Sequence, residues 1–199
     1  METKENIRFT DKVVEALKNA AIELEELQLK AALGKYEARD KYEEVKKKMN
    51  LFIHDSKVKI KAGKEKVDEI HTKFDELRVQ LSLGKAETLE TFREQKKKML
   101  LAIHNLEVKI KTNPTLNRMY AFVLIEIEKF KVQLEALERN IEKGKEGAKE
   151  AFEKGKESFF QFVDKLKERF SKKEETKWEH FQSEVSEAFL HFKQAFKTP

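Results

Sequence analysis

Apolar residues return every three or four positions through most of this chain, and charged residues fill the gaps between them. Leu17, Leu24, Ala31, Ala38, Val45 and Phe52 recur at intervals of seven, with Ala20 and Leu27 at intermediate positions. This is the a/d seam of helices packed side by side, and it predicts helix rather than strand, where the period would be two. The seam drifts through Met49, Ile53 and Ile60, so the heptad is not strict. Its alanines predict close approach between helices and a core one side chain thick.

A second pattern lies over the first. KKKMNLFIH at Lys46 to His54 returns as KKKMLLAIH at Lys96 to His104, fifty residues later. Leu33-Gly34-Lys35 returns as Leu83-Gly84-Lys85, Tyr42 as Phe92, and Val58-Lys59-Ile60-Lys61 as Val108-Lys109-Ile110-Lys111. Roughly half the positions from Leu27 to Lys61 are identical in the second copy, which predicts an internal duplication. If it ran as one helix, a single copy would be about 75 Å long at 1.5 Å per residue.

Punctuation is sparse, with six glycines and two prolines. Asn113-Pro114 is the strong internal break, because proline lacks the donor N–H and restrains the residue before it. Gly63 aligns with Asn113, and both residue types suit a left-handed helix cap. Two topologies stay open here: a chain that folds back at Gly63, or one helix running through to Lys111. Gly34 and Gly84 read as close-packing points inside continuous helix. Beyond Pro114 the spacing predicts a phenylalanine-rich helix from Thr115 to Phe170, opening on the apolar run Met119 to Ile125. In it EKGKE at Glu142 recurs at Glu153, an eleven-residue step that keeps a helical face nearly straight. Ser171, with Glu174 three residues on, is a candidate capping box for a last amphipathic helix. Its apolar face is Trp178, Phe181, Val185, Phe189, Phe192 and Phe196, with Ala188 and Ala195 between them.

The expected fold is therefore all-α: an elongated antiparallel bundle or coiled coil of about four long helices carrying the 50-residue repeat. Residues 1–112 supply two tandem repeats and residues 115–199 the phenylalanine-rich part, packed together as one elongated domain. Charged residues make up 40% of the chain, far above the roughly 25% of an ordinary domain, which leaves only narrow apolar seams to bury. The net charge of +5 comes from 42 basic and 37 acidic residues, and glutamates flank every lysine run. That interspersion argues against nucleic acid, which needs basic residues clustered on one face. The polar start METKENIRFTDK lacks the apolar stretch of a signal peptide, and the longest apolar run is far short of the roughly 20 residues that span a bilayer. A cytoplasmic protein is the expectation.

The absence of cysteine removes disulfides, thiolate metal sites and cysteine nucleophiles. No nucleophile elbow, phosphate loop or HExxH motif occurs, so no catalytic residue, cofactor or metal is expected. Asp68-x-x-His71 is the nearest approach to the Glu-x-x-His of helical di-iron proteins, and its counterpart is Lys18-x-x-Ala21. His54 and His104 edge an apolar stripe, where snorkelling to water explains them. Each lysine triplet spreads around about 200° of a helix, which suits a structural role better than an anion site. The aromatic face from Trp178 to Phe196, and the one carrying Phe159, Phe160 and Phe162, fit either core packing or an amphipathic lipid or granule surface, as in exchangeable lipid-binding bundles and phasins.

LSLGKAETLETFREQKKKM, from Leu81 to Met99, resembles a repeated LGKAE…F…QKK phrase of bacterial coiled-coil proteins linked to stress response. WEHFQSEVSEAFLHFKQAF, at the end of the chain, is similar to their terminal helix. The two EKGKE units also look like the eleven-residue motifs of late-embryogenesis-abundant proteins. The first resemblance covers about two thirds of the chain. It implies a cytoplasmic, non-enzymatic, all-helical, stress-induced protein and carries over no mechanism or functional residues; self-association or a protein partner is the separate expectation from the seam.

Overall fold

A computed structural model describes residues 4–30, 35–60, 65–170, 181 and 183. Among them the chain is helical, without strands: α1 (Lys4–Lys30), α2 (Lys35–Lys59), α3 (Glu65–Leu81), α4 (Leu89–Lys111), α5 (Pro114–Met119), α6 (Ala121–Lys143) and α7 (Lys145–Phe170). Six of these are long and one is a short turn, where the spacing predicts about four. The longest, α1, has 27 residues and extends about 40 Å rather than 75 Å.

The chain turns back more often than its glycines and prolines suggest. The α2 helix ends at Lys59 and α3 starts at Glu65, so the break near Gly63 is real, although Gly63 itself lies outside the described residues. The two helices run antiparallel: Lys57 Nζ meets Asp75 at 2.6 Å, and Arg78 Nε donates to Asn50 Oδ1 at 2.9 Å. A single helix from Leu27 to Lys111 is thereby excluded. Gly84 lies in the connection from α3 to α4 rather than within a helix. Its counterpart Gly34 lies outside the described residues, between the end of α1 and the start of α2. Thr88 caps α4 by accepting from Thr91 N at 3.0 Å, and Glu90 and Lys111 place opposite charges at the two ends of the helix dipole.

Asn113 breaks the chain by a different means from the one expected. Its φ of −124° is extended, and its side chain accepts from Thr115 N and Leu116 N, so it starts α5 instead of capping α4 in a left-handed turn. Pro114 takes the first helical position, where its missing N–H costs nothing. The predicted helix from Thr115 to Phe170 is divided at Tyr120 and at Gly144. Gly144 has φ 73°, the one positive φ among the described residues, and it closes a hairpin between α6 and α7.

The packing centres on α6, which lies against α1, α2, α4 and α7. Fourteen of its 23 residues are buried, because two cores share it. The larger core draws on α2, α3, α4, α5 and α6, around Tyr42, Phe74, Phe92, Tyr120 and Phe130. The smaller one joins α1, α6 and α7 through Leu17, Leu24, Phe152, Phe159 and Val163. Phe9 touches both Phe122 and Phe170 edge-on, which runs the start of α1 beside the start of α6 and the end of α7. Fully buried phenylalanines such as Phe152 and Phe159 each contribute about 1.5–3 kcal/mol. The predicted seam is buried at Leu17, Leu24, Ala38 and Val45 and partly buried at Phe52, but it serves two helices and two cores instead of one thin layer.

Candidate functional site

The lysine triplets resolve into separate jobs. Lys46 is 2% exposed. Its ammonium donates to Leu83 O at 2.9 Å and Gln95 Oε1 at 3.2 Å, pairs with Glu43 at 3.0 Å, and lies 4.8 Å from the Tyr42 ring centre. Tyr42 OH donates to the same Gln95 oxygen at 3.0 Å, and Gln95 Nε2 donates to Gly84 O at 2.7 Å. Ala86 N donates to Glu43 Oε1 at 3.3 Å. Together these groups clamp the α3–α4 connection onto α2 and α4. Burial, with Glu43 adding to it, pushes the Tyr42 phenol far above its ordinary range. Lys96, the counterpart of Lys46, turns instead to α6, where it pairs with Glu135 and with Glu138 at 2.6 Å. Lys47, Lys97 and Lys98 are exposed.

His54 and His104 are exposed, at the water edge of their helices. His71 is buried, stacked on Phe74, and its Nε2 has no partner within the protein. Tyr120 packs on the same Phe74 ring at 5.7 Å, and burial, aided by the charge of Asp68, pushes its phenol up to about 12. Among the described residues no group of three His, Asp or Glu side chains could hold a metal ion. No described helix is long and apolar enough to cross a membrane.

Of the terminal face, Phe181 is described and is 1% exposed, packed into the core shared by α1, α6 and α7. Trp178, Val185, Phe189, Phe192 and Phe196 lie outside the described residues, as do Ser171 and Glu174. In α7, Phe159 is fully buried, and Phe160 and Phe162 are partly buried against the cores.

The apolar surface that does face water lies elsewhere. Leu51 (56% exposed) and Val58 (67%) stand seven residues apart on α2, and Leu101 (62%) and Val108 (45%) at the corresponding positions of α4. Val79 of α3 (63%) shares an open groove of about 400 Å³ with Leu101, edged by Glu76, Gln80, Lys98, Ala102 and Asn105. Seven residues are two helical turns, so each pair forms a line about 10 Å long on one face. Sequence reasoning missed this surface. Its signal was the two copies agreeing at Leu51/Leu101 and Val58/Val108, outside the a/d seam. Comparison of the chain with protein-family models, with curated proteins and with solved structures finds no match.

Proposed function

We propose that the chain is a non-enzymatic interaction protein whose duplicated helical hairpin presents an aliphatic face, formed by α2, α3 and α4, to a second copy of itself. The observation that carries this reading is the exposure of Leu51, Val58, Leu101 and Val108 at matching places in the two copies. Scattered single apolar residues on a surface need no explanation, but lines of them at helical spacing mark contact sites. The duplication has packing support as well: Tyr42 and Phe92, equivalent in the two copies, meet at 4.3 Å between ring centres. Met49 and Met99, and Ile53 and Ile103, are buried as pairs. The bacterial, cytoplasmic and stress-related part of the proposal rests on the LGKAE and QKKKM phrases. It expects protein levels to rise on heat or osmotic stress.

Light scattering across a concentration series tests the contact. The wild-type chain should exceed its monomer mass of 23.5 kDa, and Leu101→Glu with Leu51→Glu should return it to the monomer without loss of helicity. A wild-type chain that stays monomeric throughout would refute self-association through this face.

A further inference from the structure

We propose that the crevice between α4, α6 and α7 binds a single-chain anionic amphiphile, a fatty carboxylate. Among the described residues it is lined by Leu124, Phe162 and Leu166 on its apolar side and by Lys111, Lys165 and Arg169 at its rim. On α7 both sets repeat at four residues, Phe162 with Leu166 and Lys165 with Arg169. One helix thus sets an apolar strip beside a cationic strip, each about 6 Å long. The cavity is about 270 Å³, just under the roughly 300 Å³ at which pockets for drug-sized ligands begin. That volume suits a head group with the upper part of one alkyl chain.

The charged lining of the crevice is cationic among the described residues. Lys111 pairs with Glu107 at 2.8 Å, and Glu107 also takes Lys131 at 2.6 Å. Lys131 in turn reaches Glu128 at 3.4 Å. Among the described residues, Lys111 and Lys131 are met by Glu107 and Glu128, and Lys165 and Arg169 line the same crevice at exposed positions. Cations set beside an apolar wall favour an anion whose own tail covers that wall. Free phosphate would satisfy the rim and gain nothing from Leu124, Phe162 and Leu166. The same end of the bundle carries a second apolar hollow, where Phe9, Met119 and Phe122 meet Arg118, whose guanidinium lies over the Phe9 ring at 4.5 Å.

Calorimetric titration of the full chain with sodium decanoate, below its micelle threshold, tests the site. Decanoate should bind, and neutral decanol and inorganic phosphate should each bind at least about tenfold more weakly, since a charged hydrogen bond carries about 1.5–3 kcal/mol. Lys165→Glu with Arg169→Glu, both exposed positions, should lose decanoate about tenfold or more while the thermal transition stays in place. Phe162→Ala should weaken decanoate and leave any phosphate signal unchanged. The proposal fails if decanol binds as tightly as decanoate, or if the charge-reversed chain binds undiminished. It also fails if the chain floats with phosphatidylglycerol vesicles yet ignores free decanoate, which would assign this end to a membrane surface.

Discussion

Lys46, Lys47 and Lys48 are neighbours in sequence and occupy three environments. Lys46 is enclosed, Lys47 faces water, and Lys48 pairs with Glu44 along its own helix at 3.1 Å. The 100° between successive helical residues makes such divergence predictable. Which lysine turns inward was not legible, because the carbonyls of Leu83 and Gly84 that receive it come from a connection 37 and 38 residues away. Lys46→Met keeps the stem and removes the charge, leaving Glu43 without its cation and Leu83 O without its donor. It should cost about 2–4 kcal/mol, whereas Lys47→Met should stay within about 0.5 kcal/mol. Urea denaturation of the two variants checks the contrast, and equal losses would mean that the clamp contributes nothing. The same logic applies to Phe181, the one described residue of the predicted terminal face. Helical spacing correctly marked Phe181 as apolar, but spacing alone does not distinguish a face that meets water or lipid from one that meets α1, α6 and α7.

At the scale of elements, the pentapeptide EKGKE is used in two ways. Around Gly144 it closes the α6–α7 hairpin with φ 73°, and around Gly155 it continues through the middle of α7. Local sequence is identical, so tertiary contact decides. A Cβ on Gly155 would collide with the Val132 side chain of α6, whereas nothing lies within 4 Å of one on Gly144. Gly155 is therefore a contact point that lets α6 and α7 approach closely. Gly144 was read as part of a helix because the apolar period carries on unbroken into the returning helix. Gly155→Ala should destabilise the chain by about 1–3 kcal/mol through overpacking, and Val132→Ala should recover part of that loss in the double variant. Gly144→Ala should cost about 1 kcal/mol for its backbone conformation alone, with no rescue by Val132→Ala. Thermal melts of the five variants give the coupling, and simple additivity between positions 155 and 132 would contradict the contact.

For the molecule as a whole, helical class and antiparallel packing follow from period and turn residues, but the placing of α6 between two cores does not. That arrangement depends on residues far apart in the chain, and ion pairs fix its register. Arg93 reaches Glu138 at 2.7 Å and Glu142 at 2.6 Å, and Lys131 reaches Glu107 at 2.6 Å, tying α4 along the length of α6. Burial raises the Glu107 and Glu138 carboxyls, but their cations more than offset it, so both titrate below the ordinary 4.5, and the pairing with Arg93 lowers Glu142 too. For a carboxyl lowered by folding, the unfolded chain takes up protons first as pH falls. Its stabilisation is then complete above about 4.5 and disappears as pH drops through the lower folded value. Glu126 has the opposite sign. Burial raises it despite Lys129, so its contribution improves as pH falls through that raised value. Stability should accordingly hold from neutral pH to about pH 5 and fall below about 4.5. Glu107→Gln should be less stable than wild type at pH 7, because the partly buried Lys111–Glu107–Lys131 link loses its charge. The difference should narrow as pH falls below about 4.5 and the wild-type carboxyl takes up its proton. Urea midpoints for both chains at several pH values between 7 and 3 decide it: a gap that stays constant over that range would show that Glu107 acts through packing rather than through its charge.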